Sequence, residues 1–142
     1  MHNVQHILDD KGHEIISVAP DEMVIEAVKR MAEKSIGALL VLADGEVKGM
    51  FSERDYARKV ILAGRASRET RVEEVMTSPV ITISPLLTAA EGLELMTRKR
   101  IRHLPVIDEG KLVGMVSIGD LVNAVIDDQR VLIEQLEAYV RG

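Results

Sequence analysis

The first half of the chain carries an apolar and polar pattern that predicts a small strand and helix unit. Residues 15–18 read as a short apolar strand, and residues 22–34 place apolar side chains at intervals of three and four, which predicts a helix. Residues 39–42 are four consecutive apolar residues, which is typical of a strand buried on both faces. The Asp-Gly pair at 44–45 predicts a tight hairpin that returns along residues 47–51.

The same pattern recurs 65 positions later. A gap-free comparison of residues 16–61 with residues 81–126 gives 15 identities in 46 positions, where chance would give about one in sixteen. The identical pairs include Gly49 with Gly114, Ser52 with Ser117, and Asp55 with Asp120. The duplication predicts an α/β (α+β) fold of two pseudo-symmetric units, each a three-stranded sheet with two helices packed on it.

We place the two predicted domains at residues 8–64 and 72–128, followed by a helical extension at 129–142. The extension is an amphipathic helix that either packs on its own domain or contacts a second copy of the chain, and the sequence favours neither. At the other end, His2 and His6 are expected to be surface residues on a frayed start. The apolar residues of the extension are Val131, Leu132, Leu136, Tyr139 and Val140.

Composition and charge exclude several function classes. The 142 residues have a net charge of −5, which argues against non-specific binding of nucleic acid. The chain has no cysteine, so disulfides, thiolate catalysis and cysteine-based zinc sites are excluded. No stretch approaches the length of a membrane span, and residues 1–10 do not resemble a signal peptide. We therefore expect a cytoplasmic protein that contacts no membrane.

A Ser-x-x-Asp motif follows the last strand of each repeat. Ser52 with Asp55, and Ser117 with Asp120, have the spacing of a helix N-cap and its third residue, so a purely structural capping role is sufficient to explain them. A functional interpretation is also open, because a helix start attracts phosphate and a carboxylate can accept the two hydroxyls of a ribose. Arg54 beside the first motif would suit a nearby anion, although an exposed arginine near Glu53 is the simpler explanation.

The repeats differ just before their central strands. Arg102 and His103 end the most basic stretch of this acidic chain, whereas the first repeat has Gly37 and Ala38 at these positions. Any phosphate site built here would therefore be asymmetric. No nucleophile elbow, phosphate-binding loop or spaced histidine set is present, so we predict neither an enzyme nor a metal site.

Taken together, these segments resemble a tandem pair of CBS domains, also called a Bateman module. The resemblance rests on the two Gly-h-h-Ser-x-x-Asp segments, where h is apolar, and it covers nearly the whole chain. Two further segments carry it, Met76-Thr77-x-Pro79-Val80 and residues 101–108. The resemblance implies an adenine nucleotide bound in clefts between the units, with AMP as the first candidate and ADP, ATP, NAD(H) or S-adenosylmethionine as alternatives.

The resemblance also implies two sets of ligand-binding residues. It places Ser52, Arg54 and Asp55 in one cleft with Thr77, Thr82, Arg102 and His103. It places Ser117 and Asp120 in the other cleft with Gly12, Ser17, Gly37 and Ala38. We expect the Asp55 cleft to be the stronger phosphate site, because only that cleft combines Arg54 with Arg102. The other departs from the family pattern in having Gly119 at the position of Arg54 and Leu40 at the position of Pro105.

The implied function is a regulatory module that senses nucleotides and signals energy or redox state to an effector protein, which the sequence does not identify. Modules of this family often form homodimers, so we expect a homodimer here. The alternative is a structural or oligomerisation module whose clefts are empty and whose Ser-x-x-Asp motifs act only as caps.

Overall fold

The computed structural model describes residues 1–142 and divides into two compact units. One is residues 14–81, called the Asp55 unit below. The other combines residues 1–13 with residues 82–142 and is called the Asp120 unit. The elements in chain order are α1 Val4–Lys11, β1 Ser17–Val18, α2 Val24–Lys34, β2 Ala38–Ala43, β3 Glu46–Ser52, α3 Glu53–Asp55 with a π-helical continuation Tyr56–Ile61, α4 Val72–Val75, α5 Ala89–Lys99, β4 His103–Asp108, β5 Lys111–Ser117 and α6 Ile118–Arg141.

The Asp55 unit contains the predicted three-stranded sheet. Its strand order is β1-β2-β3, with β1 parallel to β2 and β2 antiparallel to β3. Asp44 and Gly45 both have positive φ, 54° and 77°, as a type I′ hairpin requires. The apolar face of α2 covers the sheet through Val24, Ala27 and Met31, which are buried. The predicted fold class is confirmed in this unit.

The Asp120 unit repeats the hairpin but reduces the third strand to one residue. β4 and β5 pair as β2 and β3 do, and the predicted strand 80–83 is a single bridge between Ile83 and Val106. Proline explains the difference. In the Asp55 unit the N–H of Leu40 donates to the Ile16 carbonyl at 3.4 Å, whereas Pro105 at the matching position has no N–H to donate.

Helix α1 packs on the unit that is built from the second repeat. Its side chains Val4, Ile7 and Leu8 are buried in the same core as Leu104 and Leu121. The expectation of a frayed start is therefore wrong. The helix begins at a capping box in which Asn3 accepts from the His6 N–H and the Asn3 N–H donates to the His6 ring.

His2, just before α1, also forms hydrogen bonds with helix α6. The backbone N–H and the ring Nδ1 of His2 lie within 3.1 Å of the Asp128 carboxylate. Burial alone would raise the pKa of Asp128, but the hydrogen bonds from His2 outweigh it and hold that pKa below its ordinary value. These contacts fix α6 as far as its third turn.

Beyond Asp128, helix α6 leaves its unit. Leu121 and Ala124 are its only buried residues, and every residue from position 129 onward is exposed. The extension therefore does not pack on its own unit, which was one of the two alternatives. No helix of the structure combines the length and apolar character that a membrane span needs.

Candidate functional site

The first Ser-x-x-Asp motif forms a reciprocal cap at the start of α3. The Asp55 N–H donates to Ser52 Oγ at 3.1 Å, and the Ser52 N–H donates to Asp55 Oδ2 at 3.0 Å. The Ser52 hydroxyl also lies 3.1 Å from Asp55 Oδ2. The capping role predicted from the sequence is confirmed, and it fixes the Asp55 side chain in one orientation.

The second oxygen of Asp55 is engaged by residues outside the motif. The Thr77 hydroxyl donates to Oδ1 at 2.9 Å, and Lys59 Nζ lies 3.1 Å from the same oxygen. Four donor groups thus surround one carboxylate whose side chain is only 10% exposed. We refer to Ser52, Asp55, Lys59 and Thr77 as the Asp55 site.

Gly49 allows Thr77 to reach this site. Met50 and Thr77 exchange two backbone hydrogen bonds of 2.9 and 2.8 Å, which hold residues 76–78, the segment after α4 that is called the linker below, against β3. A Cβ at Gly49 would lie 2.9 Å from the Thr77 carbonyl oxygen and 2.6 Å from Met76 Sδ. A larger residue would therefore push the linker off the strand.

The second motif forms the same cap with a different cation. The Asp120 N–H donates to Ser117 Oγ at 3.2 Å, and the Ser117 N–H donates to Asp120 Oδ2 at 2.8 Å. Lys11, at the end of α1, donates to that same Oδ2 at 2.8 Å and to the Met115 carbonyl at 3.0 Å. We refer to Ser117, Asp120 and Lys11 as the Asp120 site.

Lys11 sets the electrostatics of the Asp120 site. Burial would raise the pKa of Asp120, but the hydrogen bond from Lys11 and the N–H of Ser117 together lower it below its ordinary value. The Asp120 side chain is 24% exposed, so it is more open than that of Asp55. Both bonds fall on Oδ2, which leaves Oδ1 as the more available acceptor.

The strand residues that the resemblance singled out lie beside the motif of their own unit. Ala38 pairs with Ser52 across the β2–β3 ladder, and the Glu53 N–H donates to the Gly37 carbonyl. His103 pairs with Ser117 in the same way, and the Ile118 N–H donates to the Arg102 carbonyl. Arg102 and His103 are thus neighbours of the Asp120 motif within one unit.

Of the remaining predicted residues, Ser17 and Arg54 lie in the Asp55 unit, and Gly12 and Thr82 lie in the Asp120 unit. Ser17 pairs with Leu40 in the sheet of the Asp55 unit, and Arg54 is exposed on α3. Thr82 is exposed next to the Ile83 bridge, and Gly12 ends α1 with a φ of 101°. The two ligand sets given by the resemblance each combine residues from both units, and they stay predictions.

Lys11 and Lys59 are the site residues that sequence analysis missed. Lys59 had a signal, because it stands four residues after Asp55 on one helix face. Lys11 had none, because it precedes the first repeat and its partner Asp120 lies 109 positions away. No cluster of three acidic or histidine side chains is arranged to hold a metal ion.

A surface cavity of about 450 Å³ lies on the Asp55 unit and is lined by Val28 and Met31 of α2 and by Ile36, which follows that helix. Glu53 and Tyr56, from the helical segment that follows Ser52, also line it. Ser52, Asp55 and Thr77 are not part of its lining, so it is separate from the Asp55 site.

Comparison with protein families identifies the repeats. The model of the CBS domain matches residues 7–61 and residues 72–127. This chain belongs to the CBS-domain family. The resemblance inferred from the two Gly-h-h-Ser-x-x-Asp segments is thereby confirmed, and so is the fold class.

Curated relatives carry CBS-domain names. The mitochondrial CBS domain-containing protein CBSX3 of Arabidopsis thaliana is 43% identical over 127 residues, which cover 86% of this chain and 62% of the relative. The CBS domain-containing protein YhcV of Bacillus subtilis is 33% identical and covers 81% of each chain. This chain therefore spans somewhat less than two thirds of the plant protein.

Solved structures of CBS-domain proteins share the fold. A candidate signal-transduction protein with CBS domains from Burkholderia ambifaria is 50% identical, with a TM-score of 0.86 over 90% of this chain and 96% of that chain. A hexameric CBS-CP12 protein from bloom-forming cyanobacteria is 29% identical, with a TM-score of 0.75 over 86% of this chain and 70% of that chain. Signal transduction is the role that the name of the Burkholderia protein gives.

Proposed function

We propose that this CBS-domain pair is a regulatory module that binds an adenine nucleotide and signals its occupancy to an effector protein. AMP is the first candidate, and ADP, ATP and NAD(H) are alternatives. The module itself carries out no catalysis. The observation that supports this proposal is the pair of fixed carboxylates, Asp55 and Asp120, each held at a helix start beside a lysine ammonium.

The chemistry of each site suits a phosphorylated nucleoside. A fixed carboxylate accepts hydrogen bonds from vicinal ribose hydroxyls, and an ammonium group nearby attracts a phosphate. Asp120 fits the first role well, because Oδ1 is more available than Oδ2. Arg102 immediately precedes β4 and adds a second cation to the same unit.

The two sites differ in how readily they would admit a diol. A carboxylate has about four acceptor positions, and four donor groups already surround Asp55. A ribose entering there would displace Thr77 or Lys59. The ranking drawn from the sequence put the Asp55 cleft first because it alone combines Arg54 with Arg102, and that ranking stays a prediction. The number of donors already bound to each carboxylate supports the opposite order.

Thermal unfolding tests the proposal. The chain is heated with AMP, ADP, ATP, NAD, NADH or S-adenosylmethionine, and with adenosine and inorganic phosphate as partial ligands. A ligand at 100 times its dissociation constant stabilises the folded chain by about 2.7 kcal/mol. If none of the adenine compounds raises the melting temperature, nucleotide binding is refuted and the structural module with empty clefts becomes the better account.

Conservative variants assign the shift to a site. Asp55→Asn and Asp120→Asn each remove one charge and keep the side-chain shape. Asp44→Asn, in the exposed hairpin turn, is the matched control and leaves the nucleotide shift unchanged. A larger loss in Asp55→Asn supports the ranking from the sequence, and a larger loss in Asp120→Asn supports the opposite order.

We also propose that the module works as a homodimer. The exposed end of α6 supports this proposal, since apolar side chains there lack a partner within their own unit. The cytoplasmic location stays a prediction, and the Arabidopsis relative is a mitochondrial protein.

A further inference from the structure

We infer that Lys11 makes the Asp120 site select phosphorylated nucleosides over free nucleosides, because its ammonium group exchanges the Asp120 carboxylate for the phosphate when the ligand binds. Lys11 thus determines the specificity of the nucleotide binding proposed above, on which this inference rests. Lys11 Nζ donates to Asp120 Oδ2 at 2.8 Å and to the Met115 carbonyl at 3.0 Å. An ammonium group has three N–H donors, so one is left for another acceptor.

Helix α1 carries this ammonium group to the site. Lys11 is the last residue of α1, and Leu8, one turn earlier, is fully buried. A Cβ at Gly114 of β5 would lie 2.7 Å from Leu8 Cδ2, so the absence of a side chain at position 114 makes room for Leu8. The Lys11 side chain itself is 39% exposed. Its flexible four-carbon stem can therefore change direction while the helix stays in place.

The duplication does not supply this lysine. At the Asp55 site the ammonium group belongs to Lys59, four residues after Asp55 on the same helical segment. The position 65 residues further along the chain is Ala124, which is buried in the core of the Asp120 unit. Each carboxylate nevertheless has an ammonium group within 3.1 Å. Because the two ammonium groups come from different segments, the charge beside each carboxylate was not copied together with the cap, which indicates that the site requires it.

Lys11 competes with a ribose for one oxygen of Asp120. Its hydrogen bond and that of the Ser117 N–H both fall on Oδ2, and one carboxylate oxygen offers about two acceptor positions. The two hydroxyls of a ribose lie side by side, so they fit a carboxylate best when each donates to a different oxygen. The Ser117 N–H stays bound, since it is part of the capping box of α6. A ribose bound in this manner therefore requires Lys11 to leave Oδ2.

The phosphate decides whether this exchange is favourable. A nucleoside without phosphate displaces Lys11 from Oδ2 and offers the ammonium group no charged acceptor. A nucleotide brings its own anion, and a charge-assisted hydrogen bond from Lys11 to a phosphate oxygen replaces the lost ion pair. The Met115 carbonyl keeps Nζ at the site during the exchange. Lys11 therefore raises the affinity for AMP and lowers the affinity for adenosine.

Titration followed by NMR tests the inference at this site alone. The backbone amide signals of Ser117 and Asp120 report binding there, separately from the signals of Ser52 and Asp55. Lys11→Met keeps the length of the side chain and removes its charge. The variant is expected to bind AMP about tenfold more weakly, because one hydrogen bond to a charged group is lost. It is expected to bind adenosine about threefold more tightly, because one exposed ion pair no longer has to be broken.

Lys111→Met and Lys11→Arg are the controls. Lys111 lies at the opposite end of β5 from Ser117, so its replacement changes the net charge equally and is expected to leave both affinities unchanged. Lys11→Arg keeps the charge and is expected to retain the preference for AMP over adenosine. Because Lys11 is an exposed residue at a helix end, circular dichroism spectra of all the variants should match that of the original chain.

The two affinities separate the possible failures. If Lys11→Met binds AMP more weakly but adenosine no more tightly, Lys11 contacts the phosphate without yielding Oδ2, and the exchange is overturned. An unchanged preference for AMP, or an equal change in Lys111→Met, overturns the inference and leaves nucleotide binding intact. If AMP does not shift the Ser117 and Asp120 amide signals of the original chain, nucleotide binding at this site is refuted together with the inference.

Discussion

The Asp55 site and the Asp120 site use the same four-residue cap and surround it differently. Asp55 is enclosed by Thr77 from the linker and Lys59 from its own helix. Asp120 receives one cation, Lys11, from α1. The motif was duplicated with the repeat, but the residues that cover it come mainly from segments outside the repeat. A duplicated motif therefore predicts two related caps and does not predict two equivalent sites.

The largest difference in stability between the two units is expected for alanine substitutions at Gly49 and Gly114, three residues before each capping serine. Gly49→Ala would press a methyl group against the Thr77 backbone carbonyl, which cannot move without breaking the bridge to Met50. Gly114→Ala would instead meet Leu8 Cδ2 at 2.7 Å, the flexible end of a side chain. Overpacking is thus expected to destabilise the chain by about 3 kcal/mol at Gly49 and about 1 kcal/mol at Gly114.

Urea denaturation followed by circular dichroism measures both glycine variants. Gly92→Ala, which would also meet the end of a leucine side chain at 2.8 Å, is the control for a flexible contact and should resemble Gly114→Ala. Equal losses at Gly49 and Gly114 would mean that the linker yields as easily as a side chain.

A smaller difference is expected when the carboxylates are removed. Asp55→Ala leaves the Ser52 N–H and the Thr77 hydroxyl without their acceptor in a nearly buried site, so we expect a loss of about 2 kcal/mol. Asp120→Ala removes a cap that is more open to water, and a loss of about 1 kcal/mol is expected. The measurement is the free energy of unfolding in urea. A greater loss for Asp120→Ala would contradict the conclusion that Asp55 is the more enclosed carboxylate.

The smallest effect concerns Lys11 and depends on pH. The pKa of Asp120 is lowered in the folded chain, so this carboxylate contributes stability above its unfolded pKa of about 3.9, and the contribution is lost as pH falls through the lower folded value. Lys11→Met is expected to cost about 0.5 kcal/mol at pH 7. The difference from the original chain should shrink toward zero below pH 4.

Lys111→Met is the control for Lys11, because Lys111 lies in the same unit and forms no ion pair. Urea midpoints are measured at several pH values for both variants. If the Lys11→Met difference stays constant into acid, the ammonium does not act through Asp120.

The features that depend on a local sequence pattern were predictable from the sequence. The hairpins at 44–45 and 109–110, both caps and the helical nature of α6 follow from short-range chemistry, and all are present. The helices α2 and α5 begin at Val24 and Ala89, two residues later than predicted. In the second of these, Thr88 provides the N-cap and pairs with Glu91.

Features that depend on distant contacts were missed. The loss of the third strand beside β4 required knowing that Leu40 donates its N–H to Ile16, since only then does Pro105 become informative. The placement of α1 and of Lys11 required knowing which unit the start of the chain joins. Neither is encoded in a periodicity, because the interacting residues lie far apart in sequence.

The position of α1 has a consequence for synthesis on the ribosome. The Asp55 unit is a continuous segment and can close as soon as residue 81 has emerged. The Asp120 unit cannot, because Val4, Ile7 and Leu8 share a core with Leu121, more than 100 residues later. Until α6 has emerged, α1 therefore lacks part of the core that it joins. A nascent-chain pulse-labelling experiment should find α1 unprotected until α6 has been made, although α1 precedes the whole Asp55 unit in the chain.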